Sequence, residues 1–156
     1  PKKSRAAQMM DAYEKTGKSV VASLEIEKKD SEKYGMIDIG EKITDSLFKL
    51  DGLIEKPKPK DTPSNFMTIM WYLVTPTVFK HAQDLEAGKG GELQVDEAIN
   101  AMAKDEGVIA QGLDGTYHDC GNYVNYLKAS IHFASQYENV HADLRRYRKR
   151  TILKES

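Results

Sequence analysis

Asn65-Phe66-Met67-Thr68-Ile69-Met70-Trp71-Tyr72-Leu73-Val74 is a nearly continuous apolar run. Its length and composition suit a strand buried on both faces, so the sequence predicts the central strand of a sheet here. Downstream, Thr75-Pro76 supplies an N-cap and a proline at the first helical position, which predicts a helix over 76–86 that ends at Gly88-Lys89-Gly90-Gly91. A second helix over 94–104 places Val95, Ala98, Ile99 and Met102 on one face. Residues 108–113 read as a short strand between Gly107 and Gly115. Asn122 is placed to cap a helix whose Tyr123, Tyr126, Leu127, Ser130, Ile131 and Ala134 follow helical spacing, and a last helix is expected over 140–153.

Upstream of the run, residues 6–15 read as a helix stopped by Thr16-Gly17. Residues 19–26 are β-branched and apolar, residues 34–40 alternate, and residues 47–55 alternate around Gly52, which suggests a strand with a bulge. Pro57 and Pro59 end that strand. The early strands are close enough to pair as antiparallel ribbons, but they and the helices do not alternate strictly as β-α-β units. The class is α/β with a mixed sheet, in a single domain over 1–156.

The 156 residues carry 23 Lys plus Arg against 24 Asp plus Glu, a net charge of −1, which asks for no nucleic-acid partner. No apolar run approaches the roughly 18 residues of a spanning helix, and Pro1-Lys2-Lys3-Ser4-Arg5 is not followed by a signal-peptide core, so no membrane partner is expected. The lone Cys120 makes no internal disulfide and fits a reducing cytoplasm.

Four stretches carry candidate chemistry. Glu55-Lys56-Pro57 sets an acid beside a base at a strand end; neighbouring side chains of a regular strand point to opposite faces, so the two share a site only where the strand stops. A solvated strand end is the competing reading. His118-Asp119-Cys120-Gly121-Asn122 offers one carboxylate, enough for Mg²⁺, which takes one or two and leaves the rest to water and phosphate; the alternative is a turn in which Asp119 bonds its own backbone. Three consecutive residues cannot easily surround a tetrahedral zinc. The glycines at 88–91 follow a helix and do not form a P-loop. Arg145-Arg146-Tyr147-Arg148-Lys149-Arg150 reads as a solvated face, and His81, His132 and His141 as surface or helix-packing residues without carboxylate or serine partners.

Taken in order, Ala7-Gln8-Met9-Met10, Tyr13 to Gly17, Tyr34-Gly35-Met36-Ile37, Leu53-Ile54-Glu55-Lys56-Pro57, Pro63-Ser64-Asn65, Tyr72 to Pro76, Gly91-Glu92-Leu93-Gln94, Tyr117 to Asn122 and Tyr126-Leu127-Lys128-Ala129 resemble the second half of the bacterial-type UTP–glucose-1-phosphate uridylyltransferases, a branch of the sugar nucleotidyltransferases. The resemblance covers about residues 6–135. It implies part of a Rossmann-like nucleotidyltransferase fold and the synthesis of UDP-glucose and pyrophosphate from UTP and glucose 1-phosphate. It also implies roles: Glu55 on the sugar hydroxyls, Lys56 on the sugar's phosphate as the catalytic charge, Gly35 as the glycine whose backbone approaches the sugar, Glu92 in support of the sugar pocket, and Asp119 on Mg²⁺. Met70-Trp71 stands where the family commonly has Gly-Arg, and Asp96-Glu97 replaces the usual Thr-Asp.

The family's glycine-rich nucleotide loop and a second metal-binding Asp belong to its first half, so the sequence is expected to hold half an active site, with little turnover of its own. A sheet cut at that point should expose an edge, so dimerisation, another homo-oligomer or aggregation is expected through it, or else a chain stabilised by its terminal helices over 122–136 and 140–153. A non-catalytic sugar-phosphate-binding or assembly module on the same scaffold is the competing reading.

Overall fold

A computed structural model describes residues 3–83, 85 and 93–151, with side chains through Tyr147. Where the sequence reads as one domain, the chain divides into two compact units, Pro1–Gly115 and Thr116–Ser156.

The first unit opens with α1 (Arg5–Thr16), where the Ser4 hydroxyl accepts the Ala7 N–H at 3.2 Å and Gly17 closes the helix at φ 65°. Then follow β1 (Ser19–Glu25), a 3-10 segment at Lys28–Lys33, β2 (Gly35–Lys42), β3 (Leu47–Glu55), β4 (Phe66–Leu73), α2 (Val78–Gln83), α3 (Val95–Asp105) and β5 (Val108–Gly112). The predicted helix over 76–86 begins later, because Thr75 is held to Ser19 (Thr75 N to Ser19 Oγ, 3.0 Å) and its hydroxyl lies 2.7 Å from that of Thr77. Its expected glycine stop at 88–91 lies outside the described residues.

The five strands close into a ring in the order β1-β4-β2-β3-β5. β1 pairs antiparallel with β4 and parallel with β5, β2 and β3 form an antiparallel ribbon, β3 pairs antiparallel with β5, and β2 touches β4 at Met36 and Met67. This corrects the expected terminal edge: β5 returns beside both β1 and β3 and the order closes on itself, so among the described strands none stands at the end of the sheet, although β2 and β4 meet at a single pair.

Successive residues of β1 face opposite sides, as strand geometry dictates. Val20, Ala22 and Leu24 join Met9 and Ala12 of α1 with Met36, Met67 and Ile109, whereas Val21 joins Ile37, Leu50, Leu53, Ile99, Met102 and Val108 under α3. The strand buried on both faces is therefore β1, six of whose seven residues are buried, and not β4. In β4 only Met67 and Thr68 are buried, while Met70 and Trp71 face solvent. Between the pairs Val21–Tyr72 and Ser23–Thr68, β1 advances two residues and β4 four, with Met70 at φ 58° in the left-handed region. The apolar run of 65–74 thus contains a bulge that its composition conceals.

The bulge expected around Gly52 is present: Gly52 pairs with Asp38 and Leu50 with Ile39, leaving Asp51 unpaired in that ladder. Asn100 of α3 pins it, its Oδ1 accepting the Leu53 N–H at 2.6 Å and its Nδ2 donating to the Leu53 carbonyl at 3.2 Å. Asn100→Ala removes both bonds at a half-buried place and is expected to cost about 1–2 kcal/mol of stability, the usual worth of two such bonds, read as a lower midpoint in urea unfolding.

In the second unit, the Asn122 side chain accepts the Asn125 N–H at 2.9 Å and starts α4 (Tyr123–Ala134), followed by α5 (Glu138–Thr151). Among the described residues no helix is long and apolar enough to cross a membrane.

Candidate functional site

The antiparallel ribbon sets Gly35, the first residue of β2, opposite Glu55, the last of β3. The chain then leaves the strand through Lys56, whose N–H donates to the Tyr34 carbonyl at 3.2 Å and whose φ is 45°. A regular strand sends residues 55 and 56 to opposite faces. The left-handed residue reverses this, and Lys56 Nζ lies 2.9 Å from Glu55 Oε1. The buried Ser31 hydroxyl donates to the Pro57 carbonyl at 2.8 Å and fixes the exit of the strand. A lysine held in the left-handed region stores roughly 1–2 kcal/mol of strain that a glycine would not. The ion pair itself is more than half exposed, at 58% and 60%, so it contributes little to stability.

Gly35 has no room for a side chain, since a Cβ there meets Thr68 Cγ2 at 3.0 Å and Glu55 Oε2 at 3.1 Å. Three residues named from the sequence, Gly35, Glu55 and Lys56, are thereby gathered at one strand end. An exposed carboxylate and an exposed ammonium side by side above bare backbone offer acceptors for hydroxyl groups and a cation for an anion.

The structure adds residues that the sequence reading passed over. Thr68 is buried beside Gly35, and its Oγ1 accepts the N–H of the left-handed Met70 at 3.3 Å. The Tyr72 hydroxyl donates to Asp96 Oδ1, in the first turn of α3, at 2.7 Å. Burial, and then the hydrogen bond and charge of Asp96, push the Tyr72 phenol well above its ordinary value; Thr68 and the Glu55 charge act on it as well, which puts all four side chains in one neighbourhood. Asp96 stood out in the sequence only as a departure from the family pattern. Nothing in the local sequence joins it to Tyr72, 24 positions away.

Glu92 is outside the described residues. Asp119 belongs to the second unit, where its Oδ1 accepts the Gly121 N–H at 2.9 Å, the backbone-bonded turn that was the alternative reading. The described residues hold no group of three or more His, Cys, Asp or Glu able to cage a metal ion. A single half-buried carboxylate fits Mg²⁺ only if substrate phosphates supply further oxygens. His118, His132 and Phe133 pack as a ring cluster, with the two imidazole centroids 4.7 Å apart. His81 does have a carboxylate neighbour, Asp105 Oδ2 at 3.5 Å, which ties α2 to α3. A separate cleft of about 360 Å³ mixes Lys18, Lys49 and Lys104 with Glu41, Asp105 and Glu106.

A family model described as "Nucleotidyl transferase" matches residues 3–136. A UTP–glucose-1-phosphate uridylyltransferase of Pseudomonas aeruginosa is 40% identical over 123 residues, covering 79% of this chain and 44% of that protein. One of Streptococcus pyogenes is 34% identical over 140 residues, covering 90% and 46%. A crystal structure of UDP-glucose pyrophosphorylase complexed with UDP-glucose superposes with a TM-score of 0.75 at 32% identity, over 83% of this chain and 49% of that one. The chain spans about half the length of the curated relatives it matches.

Proposed function

Because this chain belongs to the nucleotidyl transferase family, we propose that it forms the sugar-phosphate half of a UTP–glucose-1-phosphate uridylyltransferase. In that reaction a phosphate oxygen of glucose 1-phosphate attacks the α-phosphorus of UTP, UDP-glucose forms and pyrophosphate leaves. The observation that supports this most is the strand end itself, where Lys56 turns back onto Glu55 above a glycine that cannot accept a Cβ.

Each residue then has a task. Gly35 leaves the space into which a sugar ring approaches the backbone. Glu55 accepts hydrogen bonds from ring hydroxyls, and so holds the sugar in one orientation. Lys56 meets the phosphate, first as the substrate's anion and then as charge spreads over the phosphoryl oxygens in the transition state, where fixed countercharges contribute most. Lys56 is paired with Glu55 at 2.9 Å before any ligand arrives, so its ammonium waits close to its working place. Mg²⁺, held by Asp119 and the substrate phosphates, would neutralise part of the phosphate charge. Glu92 supports the sugar pocket in the same reading, and a cytoplasmic location suits both the substrates and the exposed thiol of Cys120.

Two measurements separate this from a purely sugar-phosphate-binding module. The 156-residue chain alone is expected to bind glucose 1-phosphate without making UDP-glucose from added UTP. When joined to a uridylyltransferase first half, it should release pyrophosphate in a coupled assay; binding with no turnover in any such pairing favours the binding module. In the joined enzyme Asp119→Asn is expected to raise the Mg²⁺ concentration for half-maximal rate, because an amide keeps the shape and loses the charge. An unchanged Mg²⁺ requirement at full activity assigns Asp119 to its turn alone.

A further inference from the structure

The contact between Tyr72 and Asp96 runs in one direction. The phenol O–H has two acceptors in reach, Asp96 Oδ1 at 2.7 Å and the Met70 thioether at 3.3 Å; the carboxylate is the nearer and by far the stronger, and when ionised it has no proton to give, so the phenol proton goes to Asp96 and Tyr72 Oη faces the ligand as an acceptor. Two residues before Tyr72 on the same strand, the left-handed Met70 donates its N–H to Thr68 Oγ1 at 3.3 Å. Glu55, whose charge also acts on the phenol, is an acceptor when ionised.

We propose that Asp96 is a positioning residue which sets sugar specificity through Tyr72, by fixing the wall beside Glu55 as hydrogen-bond acceptors throughout. The inference rests on the sugar-phosphate reading of the Gly35–Glu55–Lys56 site and extends it to what that site rejects. A wall of acceptors takes a ligand whose ring hydroxyls donate. It rejects one in which a hydroxyl is replaced by fluorine, which is close in size and has no proton to give. A threonine in place of Asp96 can donate or accept, and would let the phenol turn its proton toward the ligand. An aspartate does not.

The test is a pair of titrations by calorimetry, with glucose 1-phosphate and with its 2-deoxy-2-fluoro and 3-deoxy-3-fluoro analogues. They are run on the parent chain, Asp96→Asn, Tyr72→Phe and, as control, Lys56→Ala. The parent is expected to bind at least one fluoro analogue about tenfold or more weakly than the natural sugar phosphate, the worth of an unmet acceptor. In Asp96→Asn the amide can donate to Tyr72 Oη, the phenol proton is released toward the ligand, and this discrimination should fall several-fold. Tyr72→Phe removes the acceptor and should also reduce it. The phenol supplies a second readout: in an alkaline absorbance titration, a late-ionising tyrosine of the parent should vanish in Tyr72→Phe and ionise earlier in Asp96→Asn.

If Asp96→Asn lowers only the melting temperature and leaves both the fluoro discrimination and the tyrosine titration as in the parent, the contact merely ties β4 to α3, and the proposal is overturned while the site reading stands. Absence of any Lys56-dependent binding in the parent overturns both.

Discussion

Gly35→Val abolishes measurable glucose 1-phosphate binding while the strand ring stays folded. The methyl carbon that every other residue carries would sit 3.0 Å from Thr68 Cγ2 and 3.1 Å from Glu55 Oε2, and valine adds two more carbons. Both neighbours must give, the buried Thr68 by a few tenths of an ångström and the exposed, freer Glu55 carboxylate by more. Displacing it forfeits charge-assisted bonds to sugar hydroxyls worth about 1.5–3 kcal/mol each, which is roughly 10- to 150-fold in affinity per bond. Gly35 is not among the glycines with positive φ, so the effect comes from lost space and not from backbone strain. Gly35→Ala should therefore fall between parent and valine, since a shift of a few tenths of an ångström at the carboxylate accommodates one carbon. Calorimetric titration with circular dichroism on the same samples checks both points. A valine variant that binds as tightly as the parent places the sugar elsewhere.

Lys56→Ala weakens glucose 1-phosphate binding by about 1.5–3 kcal/mol and leaves the weak affinity for unphosphorylated glucose as it was, because the ammonium acts on the phosphate alone. Stability should barely change, since an exposed ion pair of this kind is worth about 0–1 kcal/mol. Lys56→Gly makes the argument sharper. At φ 45° alanine keeps the left-handed strain and glycine relieves it, which offsets glycine's greater freedom when unfolded. The glycine variant is expected to melt no lower than the alanine variant and to bind equally poorly. Such a result shows that the backbone is held in a costly conformation to present this charge, as functional positions often are. Thermal melts and titrations of the two variants decide it.

The sequence reading found those elements whose signals are local. Gly17 stops α1, Asn122 caps α4, and Gly52 in an alternating strand marks the bulge of β3, whereas the Ser4 cap of α1 went unread. It misassigned residues whose role depends on distant partners. The run 65–74 looked doubly buried because hydrophobicity carries no sign of a left-handed residue, and Met70 stands where the family commonly has glycine, the residue that takes φ 58° without strain. β1 took its place as the doubly buried strand because β5 pairs beside it in parallel, 89 positions on at Ser19–Val108. At the proposed site, adjacency marked Glu55-Lys56 only as a candidate beside the reading of a solvated strand end, and the resemblance singled out Glu55, Lys56 and Gly35. Thr68 and Tyr72 were invisible because their neighbours Gly35, Glu55 and Asp96 arrive from three other elements.

The central claim is that Gly35, Glu55 and Lys56 form a sugar-phosphate site, and amide chemical-shift mapping of the ¹⁵N-labelled chain with glucose 1-phosphate tests it most directly. The account predicts saturable shifts centred on Tyr34, Gly35, Glu55, Lys56 and the Thr68–Tyr72 bulge, lost in Lys56→Ala. Shifts centred instead on the lysine-lined cleft of Lys18, Lys49 and Lys104, and unaffected by Lys56→Ala, would contradict it.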